Sequence, residues 1–250
     1  VKLYEQRQFI PVVEQAQALT KLYPEALFVW FLLGVANKGL GREEEASIAF
    51  KKVTELDPQS FEGHNNLGTS LAEQGRLQEA IGSYGKALSI KPDYVEAYSN
   101  MGNALADQGK LDEAIVSFKN ALFINPDYVE AYSNMGNALQ AKGKLKEAIA
   151  SYNKALSIKP DSAETYAYMG SAFNDQGKLR EAIASYNKAI SLKPDSAKAH
   201  KGLSSALLSC GKLKEGLDEY EWRWKTPRGL LRERHFSQPL WDGEKSLEGK

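Results

Sequence analysis

The side chains that catalysis or metal binding would require are few in this 250-residue chain. None of its three histidines, His64, His200 and His235, has partners at the spacing of a metal motif. Cys210 is the single cysteine, which rules out an internal disulfide and a zinc site built from cysteines. The chain also lacks a phosphate-binding glycine loop and a Gly-x-Ser-x-Gly elbow. We therefore expect no catalytic site, no metal and no cofactor in these residues.

Charge and hydropathy argue against two further classes of protein. The chain has 32 Lys and Arg residues against 32 Asp and Glu residues, so it lacks the basic excess that meets nucleic-acid phosphates. No apolar run approaches the roughly 20 residues that cross a bilayer, and the N-terminus does not resemble a signal peptide. The sequence favours a cytoplasmic protein that binds neither nucleic acid nor membrane.

A 34-residue period organises the chain. Six of its nine prolines are spaced by that interval, namely Pro24, Pro58, Pro92, Pro126, Pro160 and Pro194. Two series of glycines repeat it, one from Gly34 to Gly170 and the other from Gly41 to Gly211. A fixed period of this length is typical of a stacked array, in which each unit buries its apolar face against its neighbours.

Each unit is predicted to be two antiparallel helices, A and B. Positions 4, 7, 8 and 11 form one apolar stripe and positions 17, 20, 21, 24, 27 and 28 form another, with a helix-ending glycine between them. Five full units follow from this frame: 27–60, 61–94, 95–128, 129–162 and 163–196. Residues 1–26 are predicted to contain the second helix of a preceding unit. Residues 197–225 form a degenerate sixth unit with a capping helix, and 226–250 an extended tail or linker.

The repeated residues resemble the tetratricopeptide repeat. The third unit carries this pattern as Tyr98, Met101, Gly102, Leu105, Gly109, Ala114, Phe118, Ala121 and Pro126. The resemblance implies an all-α, right-handed superhelical solenoid of antiparallel helix pairs. It also implies a protein–protein interaction scaffold in which helix A lines a concave, partner-binding groove.

An acidic, amide-rich strip is predicted on the exposed face of helix A. At 100° per residue, positions 2, 6, 9 and 13 lie opposite the buried stripe. In units two to five these positions hold seven carboxylates and neither Lys nor Arg. A primary amide can both donate to and accept from a peptide backbone, so we expect an extended, neutral to basic peptide as partner. The predicted peptide-binding residues are Glu62, Asn66, Glu96, Asn100, Asn103, Asp107, Glu130, Asn134, Asn137, Glu164, Tyr168 and Asp175.

Asn66, Asn100 and Asn134 recur at position 6 and are expected to form a ladder, for which two interpretations stay open. The strings Ser-Asn-Met-Gly-Asn at 99–103 and 133–137 resemble those of the O-linked N-acetylglucosamine transferase family, where the resemblance implies a peptide-binding ladder. Alternatively, these amides are solvated side chains or local caps on a repeated template.

Unit one is apolar where its siblings are polar, at Phe28, Phe31, Leu32 and Val35. An exposed apolar cluster is typical of an interface, so self-association is one interpretation. A preceding repeat that covers the cluster is the other.

The C-terminal tail has a composition of its own, with Trp222, Trp224, Trp241 and several arginines. It resembles the junction that leads into a glycosyltransferase-like domain in bacterial repeat proteins. That resemblance implies an alternative function, a substrate-recruiting domain of an enzyme whose catalytic domain follows residue 250. A basic tail could also dock in the acidic groove of its own or a second molecule.

Overall fold

The computed structural model describes residues 8–222, and in that range it contains helices and turns but no strand. The chain divides into two compact units, one ending at Asp161 and the other beginning at Ser162.

The compact unit that ends at Asp161 carries nine helices within its described residues. They are α1 (Phe9–Leu22), α2 (Leu27–Gly39), α3 (Glu43–Leu56), α4 (Phe61–Glu73), α5 (Leu77–Ile90), α6 (Val95–Asp107), α7 (Leu111–Ile124), α8 (Val129–Ala141) and α9 (Leu145–Ile158). Helices α2, α4, α6 and α8 are the A helices of units one to four, and the helix that follows each is its B helix. Helix α1 packs against α2 through Val12, Val13 and Ala16.

The second unit carries four helices in its described part. They are α10 (Ala163–Asp175), α11 (Leu179–Leu192), α12 (Ala197–Ser209) and α13 (Leu213–Tyr220). Its core contains Tyr186, Leu203, Leu207 and five alanines. The all-α class and the array of repeated helix pairs are confirmed.

A glycine turn ends each A helix from α2 to α12. In the third unit, Gly109 has φ +77°, a left-handed conformation that a residue without Cβ adopts at no steric cost. The N–H of Lys110 donates to the carbonyl of Leu105 and the N–H of Gly109 to that of Ala106, both at 2.9 Å. This pair of bonds is the Schellman motif, which satisfies the last carbonyls of the helix.

Helices A and B of a unit are held close by a glycine at position 8 and an aromatic ring at position 24. A Cβ built on Gly68 would lie 2.7 Å from the Tyr84 ring, and one on Gly102 would lie 2.6 Å from the Phe118 ring. Both rings are buried. The packing therefore admits no side chain at position 8 unless the helices move apart.

The sixth unit reaches the same closeness in another way. Ser204 replaces the glycine of position 8, and Gly216 replaces the alanine of position 20. The Ser204 hydroxyl donates to the Gly216 carbonyl at 2.7 Å, and a Cβ on Gly216 would come within 2.8 Å of Leu208. The two departures from the repeat pattern are therefore coupled, since the bulk added at one position is removed from the other.

Three residues at position 4 approach the end of the preceding B helix. The indole N–H of Trp30 donates to the carbonyl of Pro24 at 2.8 Å, and Nε2 of His64 lies 3.1 Å from that of Pro58. In repeat unit six, Nε2 of His200 lies 2.9 Å from the Pro194 carbonyl, and the His200 ring stacks on Trp222. His64 and His200 are buried packing residues with a polar contact that the hydrophobic pattern does not reveal.

Candidate functional site

The helix A strip of the first unit runs across α4, α6 and α8, which contact one another in that order. We use this name for positions 2, 6, 9 and 13 of these helices. Its terminal carboxylates are exposed, and its central side chains are mostly half-buried. The residues are Glu62, Asn66, Thr69 and Glu73 on α4, Glu96, Asn100, Asn103 and Asp107 on α6, and Glu130, Asn134, Asn137 and Ala141 on α8.

The amides at position 6 are not equivalent. Asn100 donates from Nδ2 to Oδ1 of Asn65, at 3.1 Å, so part of its amide is used within the protein. Asn65 is buried and was not among the predicted site residues; its only signal in the sequence is the doublet it forms with Asn66. The side chains of Asn66 and Asn134 make no hydrogen bond within the described residues.

Buried tyrosines determine whether the side chain at position 9 is hydrogen-bonded within the protein. The Tyr152 hydroxyl donates to Oδ1 of Asn137 at 2.8 Å and lies 3.1 Å from Oε1 of Gln140. The Tyr84 hydroxyl makes a longer contact, 3.5 Å, with the hydroxyl of Thr69. The tyrosines stand at position 24, where unit three has a phenylalanine, Phe118.

Asn103 is accordingly the free amide of position 9. Phe118 beneath it has no hydroxyl to offer, and Asn103 is exposed, with no hydrogen bond in the described part of the chain. Three unbonded amides therefore remain on the helix A strip: Asn66, Asn103 and Asn134.

Aromatic side chains border the strip where α4 and α6 begin. Phe61 and Tyr94 meet edge to face, with ring centroids 5.0 Å apart, and Nζ of Lys91 lies 4.4 Å from the centroid of Phe61. Burial raises the pKa of the Tyr94 hydroxyl, and the nearby carboxylates of Glu96 and Glu62 raise it further. Carboxylates from two successive A helices therefore lie near one tyrosine at the border of the strip.

The apolar cluster of unit one is only partly exposed. Phe28 is 61% exposed, whereas Phe31, Leu32 and Val35 are half-buried. The Phe31 ring packs against Phe50, with centroids 5.9 Å apart, and Leu32 packs against the core around α1 and α2. Self-association through this cluster stays a prediction, with Phe28 as its accessible member.

In repeat unit five, the equivalent positions already make contacts within the protein. The Tyr168 hydroxyl donates to Oε1 of Glu164 at 2.7 Å, and Nζ of Lys198 lies 3.4 Å from the centroid of the Tyr168 ring. Desolvation lowers the pKa of Lys198, and the carboxylate of Glu164 opposes that shift. Asp175 is exposed at the end of α10. This part of the predicted site thus binds a cation supplied by the protein itself.

A concave feature lies on the B helices of the compact unit that ends at Asp161. A groove of about 880 Å³ runs between α3 and α5, and we name it the α3–α5 seam. Leu67, Leu71 and His64 of α4 form its floor, and Ile48 and Ile90 line its sides. The repeat pattern in the sequence did not predict a site here.

Neither a metal cluster nor a membrane span is found in the described residues. No group of three or more His, Cys, Asp or Glu side chains in residues 8–222 is placed to hold a metal ion. Among the helices of that range, none has the length and apolar character to cross a bilayer. The predicted tail at 226–250, like residues 1–7, lies outside the described part.

Comparison with protein families gives matches along most of the described chain. A model described as a TPR repeat matches residues 68–109, 102–143, 136–174 and 170–211. Two models described as tetratricopeptide repeats match residues 49–82 and 29–60. No curated protein sequence matches the chain significantly.

Solved structures share the arrangement of helices. The APC/C hetero-tetramer Cut9–Hcn1 aligns with a TM-score of 0.74 at 19% identity, over 89% of this chain and 44% of that one. That likeness shows the fold alone, and this chain spans less than half the length of its match. A MamA structure aligns at 30% identity with a TM-score of 0.59, over 66% of this chain and 97% of that one. TTC0263, a thermophilic TPR protein in Thermus thermophilus, aligns at 26% identity with a TM-score of 0.61, over 73% and 100%.

Proposed function

The chain belongs to the tetratricopeptide repeat family, and from that premise we propose that its helix A strip binds an extended, neutral to basic segment of a partner protein. Tetratricopeptide repeat arrays are protein-interaction scaffolds. One observation carries the proposal: Asn66, Asn103 and Asn134 present unbonded amides on three successive A helices, each of which also carries an exposed glutamate at position 2.

The amides would hold the backbone of the segment. Each offers two N–H donors and a carbonyl acceptor, which complement the carbonyl and N–H groups of an extended chain whatever its side chains. Because Asn66 and Asn134 are half-buried, their bonds to a ligand would be partly shielded from water.

The carboxylates would select the charge of the segment. Glu62, Glu96 and Glu130 repeat at position 2, and no Lys or Arg occupies the strip in α4, α6 or α8. A basic segment would be attracted and an acidic one repelled, and this contribution weakens as salt screens the charges.

The test is binding of an arrayed library of extended peptides to the chain in which Asn66, Asn103 and Asn134 are all changed to Ala. We expect the affinity of captured peptides to fall at least about tenfold, since three hydrogen-bonding groups are lost at roughly 0.5–1.5 kcal/mol each. The matched control changes Asn120 and Asn153, exposed amides on the B helices α7 and α9, to Ala. Unchanged binding by the strip variant would disprove the proposal.

A further inference from the structure

The α3–α5 seam is open because an isoleucine is displaced by one position. Units two to five have isoleucine at position 21, namely Ile81, Ile115, Ile149 and Ile183, whereas unit one has Ser47. In unit two, Ile81 packs onto the core beside Leu71 and Tyr84. Ser47 is smaller and donates its hydroxyl to the carbonyl of Glu44 at 2.8 Å, so it leaves the floor of the seam uncovered. The isoleucine of unit one, Ile48, is 61% exposed instead.

The opposite side of the seam also lacks a side chain that the sibling units have. Gly82 of α5 occupies position 22, where the third and fourth units have Val116 and Ala150. A Cβ built on Gly82 meets nothing within 4 Å, so no packing in the protein requires glycine there. Both departures from the repeat enlarge the same groove.

The rim of the seam has a net positive charge. Lys51 on α3 and Lys86 on α5 make no ion pair within the described residues. Of the carboxylates on the rim, Glu55 is paired with Lys52 at 3.4 Å and Glu79 with Arg76 at 2.7 Å. The two lysines, one on each side, are thus the rim cations that no carboxylate pairs directly.

The hydroxyl groups that line the seam already donate hydrogen bonds within the protein, so they do not require an acceptor from a ligand. Thr54 donates to the carbonyl of Lys51 at 2.8 Å, Ser83 to that of Glu79 at 3.0 Å, and Ser89 to that of Lys86 at 2.7 Å. Because each is satisfied within its own helix, apolar contact with the floor costs little, and the lysines supply the polar selectivity.

The secondary structure of an occupant follows from the walls. They are helices that bond their own backbone groups, so an extended strand would find no sheet edge to pair with. A helix satisfies its own backbone and can lay one apolar face in a groove. Helices α3 and α5 have 14 residues each, or about 21 Å, which accommodates about four turns of a partner helix.

We propose that the α3–α5 seam is a second protein-binding site, and that it takes an amphipathic helix whose bulky apolar side chains are flanked by carboxylates. The apolar side chains cover Leu67 and Leu71, and the carboxylates meet Lys51 and Lys86. This proposal does not depend on the function of the helix A strip.

The experiment compares two sets of stabilised helical peptides that share one Leu and Phe stripe and differ only in their flanking residues, Glu or Lys. We expect the Glu set to bind the wild-type chain at least about tenfold more tightly. Ser47→Ile restores the residue of the sibling units, fills the floor and should weaken the Glu set at least about tenfold, while thermal unfolding occurs no earlier than in wild type. Gly82→Val, the residue of unit three, should act in the same direction.

Charge reversal separates the seam from general attraction. Lys51→Glu with Lys86→Glu should abolish the preference for the Glu set. Lys119→Glu with Lys154→Glu alters the same helix positions in units three and four, outside the seam, and should leave the preference intact. The Asn66, Asn103 and Asn134 variant should bind the Glu set normally. Absence of binding by the Glu set, equal binding of both sets, or indifference to both Ser47→Ile and Gly82→Val would overturn the proposal.

Discussion

The helix A strip and the α3–α5 seam are built on the same helix pairs and have opposite chemistry. The strip presents exposed carboxylates and unbonded amides from α4, α6 and α8. The seam presents an apolar floor between two unpaired lysines. The strip arises because one polar pattern recurs in successive units, whereas the seam arises because two neighbouring units depart from the pattern.

The contrast shows how a repeat separates stability from recognition. Positions that hold the pair together are packed too tightly to accept a larger side chain without a compensating change, as Gly68 is against Tyr84. Positions that face outward vary without loss of the fold, so each face acquires its own charge and polarity. One scaffold can therefore offer two surfaces that select partners of opposite charge.

The largest expected effect breaks both surfaces at once. Gly68 on α4 packs against Tyr84 on α5, and a Cβ there would lie 2.7 Å from the ring. Gly68→Ala should destabilise the chain by about 2–3 kcal/mol through overpacking and weaken binding to strip and seam together. Urea unfolding measures the first effect and peptide titration the second. Gly85→Ala is the control: its Cβ meets nothing within 4 Å, so a gain of about 0.5–1 kcal/mol is expected from helix propensity. Equal stability of the two variants would contradict this account.

Alkali should act on the core beneath the strip. Burial raises the pKa of Tyr84 to about 12, against about 10 for an exposed tyrosine. The folded state thus retains this proton longer, so the associated stability is complete below pH 10 and is lost as the pH rises through 12. Wild type should lose up to about 2–3 kcal/mol on this account, and Tyr84→Phe should lose less. Urea unfolding at pH 9 and pH 11.5 measures the difference. Tyr23→Phe, which alters a tyrosine 60% exposed, should behave as wild type.

Salt should distinguish the two surfaces by degree. Binding of a basic extended peptide to the strip rests largely on exposed charges, and we expect its affinity to fall about tenfold between 0.05 and 0.5 M NaCl. Binding of an acidic amphipathic helix to the seam should fall only about threefold, because apolar burial is not screened. Calorimetric titration at several salt concentrations gives both slopes. If affinity fell more steeply with salt at the seam than at the strip, the seam would be the more electrostatic of the two binding surfaces, contrary to this prediction.

The smallest expected effect concerns a single hydroxyl. Phe118→Tyr should place a donor beneath Asn103, as Tyr152 does beneath Asn137, and so engage the free amide. Affinity of the strip for its peptide should fall about two- to threefold, within the range of one hydrogen bond, and the seam should be unaffected. Tyr152→Phe is the reciprocal change, since it frees Asn137. Identical affinity in all three proteins would show that the amide of position 9 does not contact the ligand.

Local signals in the sequence were sufficient for the helices and turns. Gly109 and Pro126 have the roles that their covalent structures favour, at the end of helix A and after helix B. The helical spacing of the apolar residues also identified the exposed face of helix A, so the strip residues were predictable as a set.

Differences among those residues were not predictable. The sequence repeats Asn66, Asn100 and Asn134 identically, yet only Asn100 is bonded to a neighbour, because Asn65 lies within reach on the adjacent A helix. The substitution of Ser47 for isoleucine is visible in the sequence. That it uncovers Leu67 depends on where α4 lies beneath α3 and α5.

By itself, the sequence determined the 34-residue period, the helix pair and the family, since these follow from backbone preferences and from hydrophobic spacing within one unit. The tertiary structure decided which amides stay unbonded and which seam stays open. Those features depend on distances between side chains of different helices, and no pattern along a single helix specifies such distances.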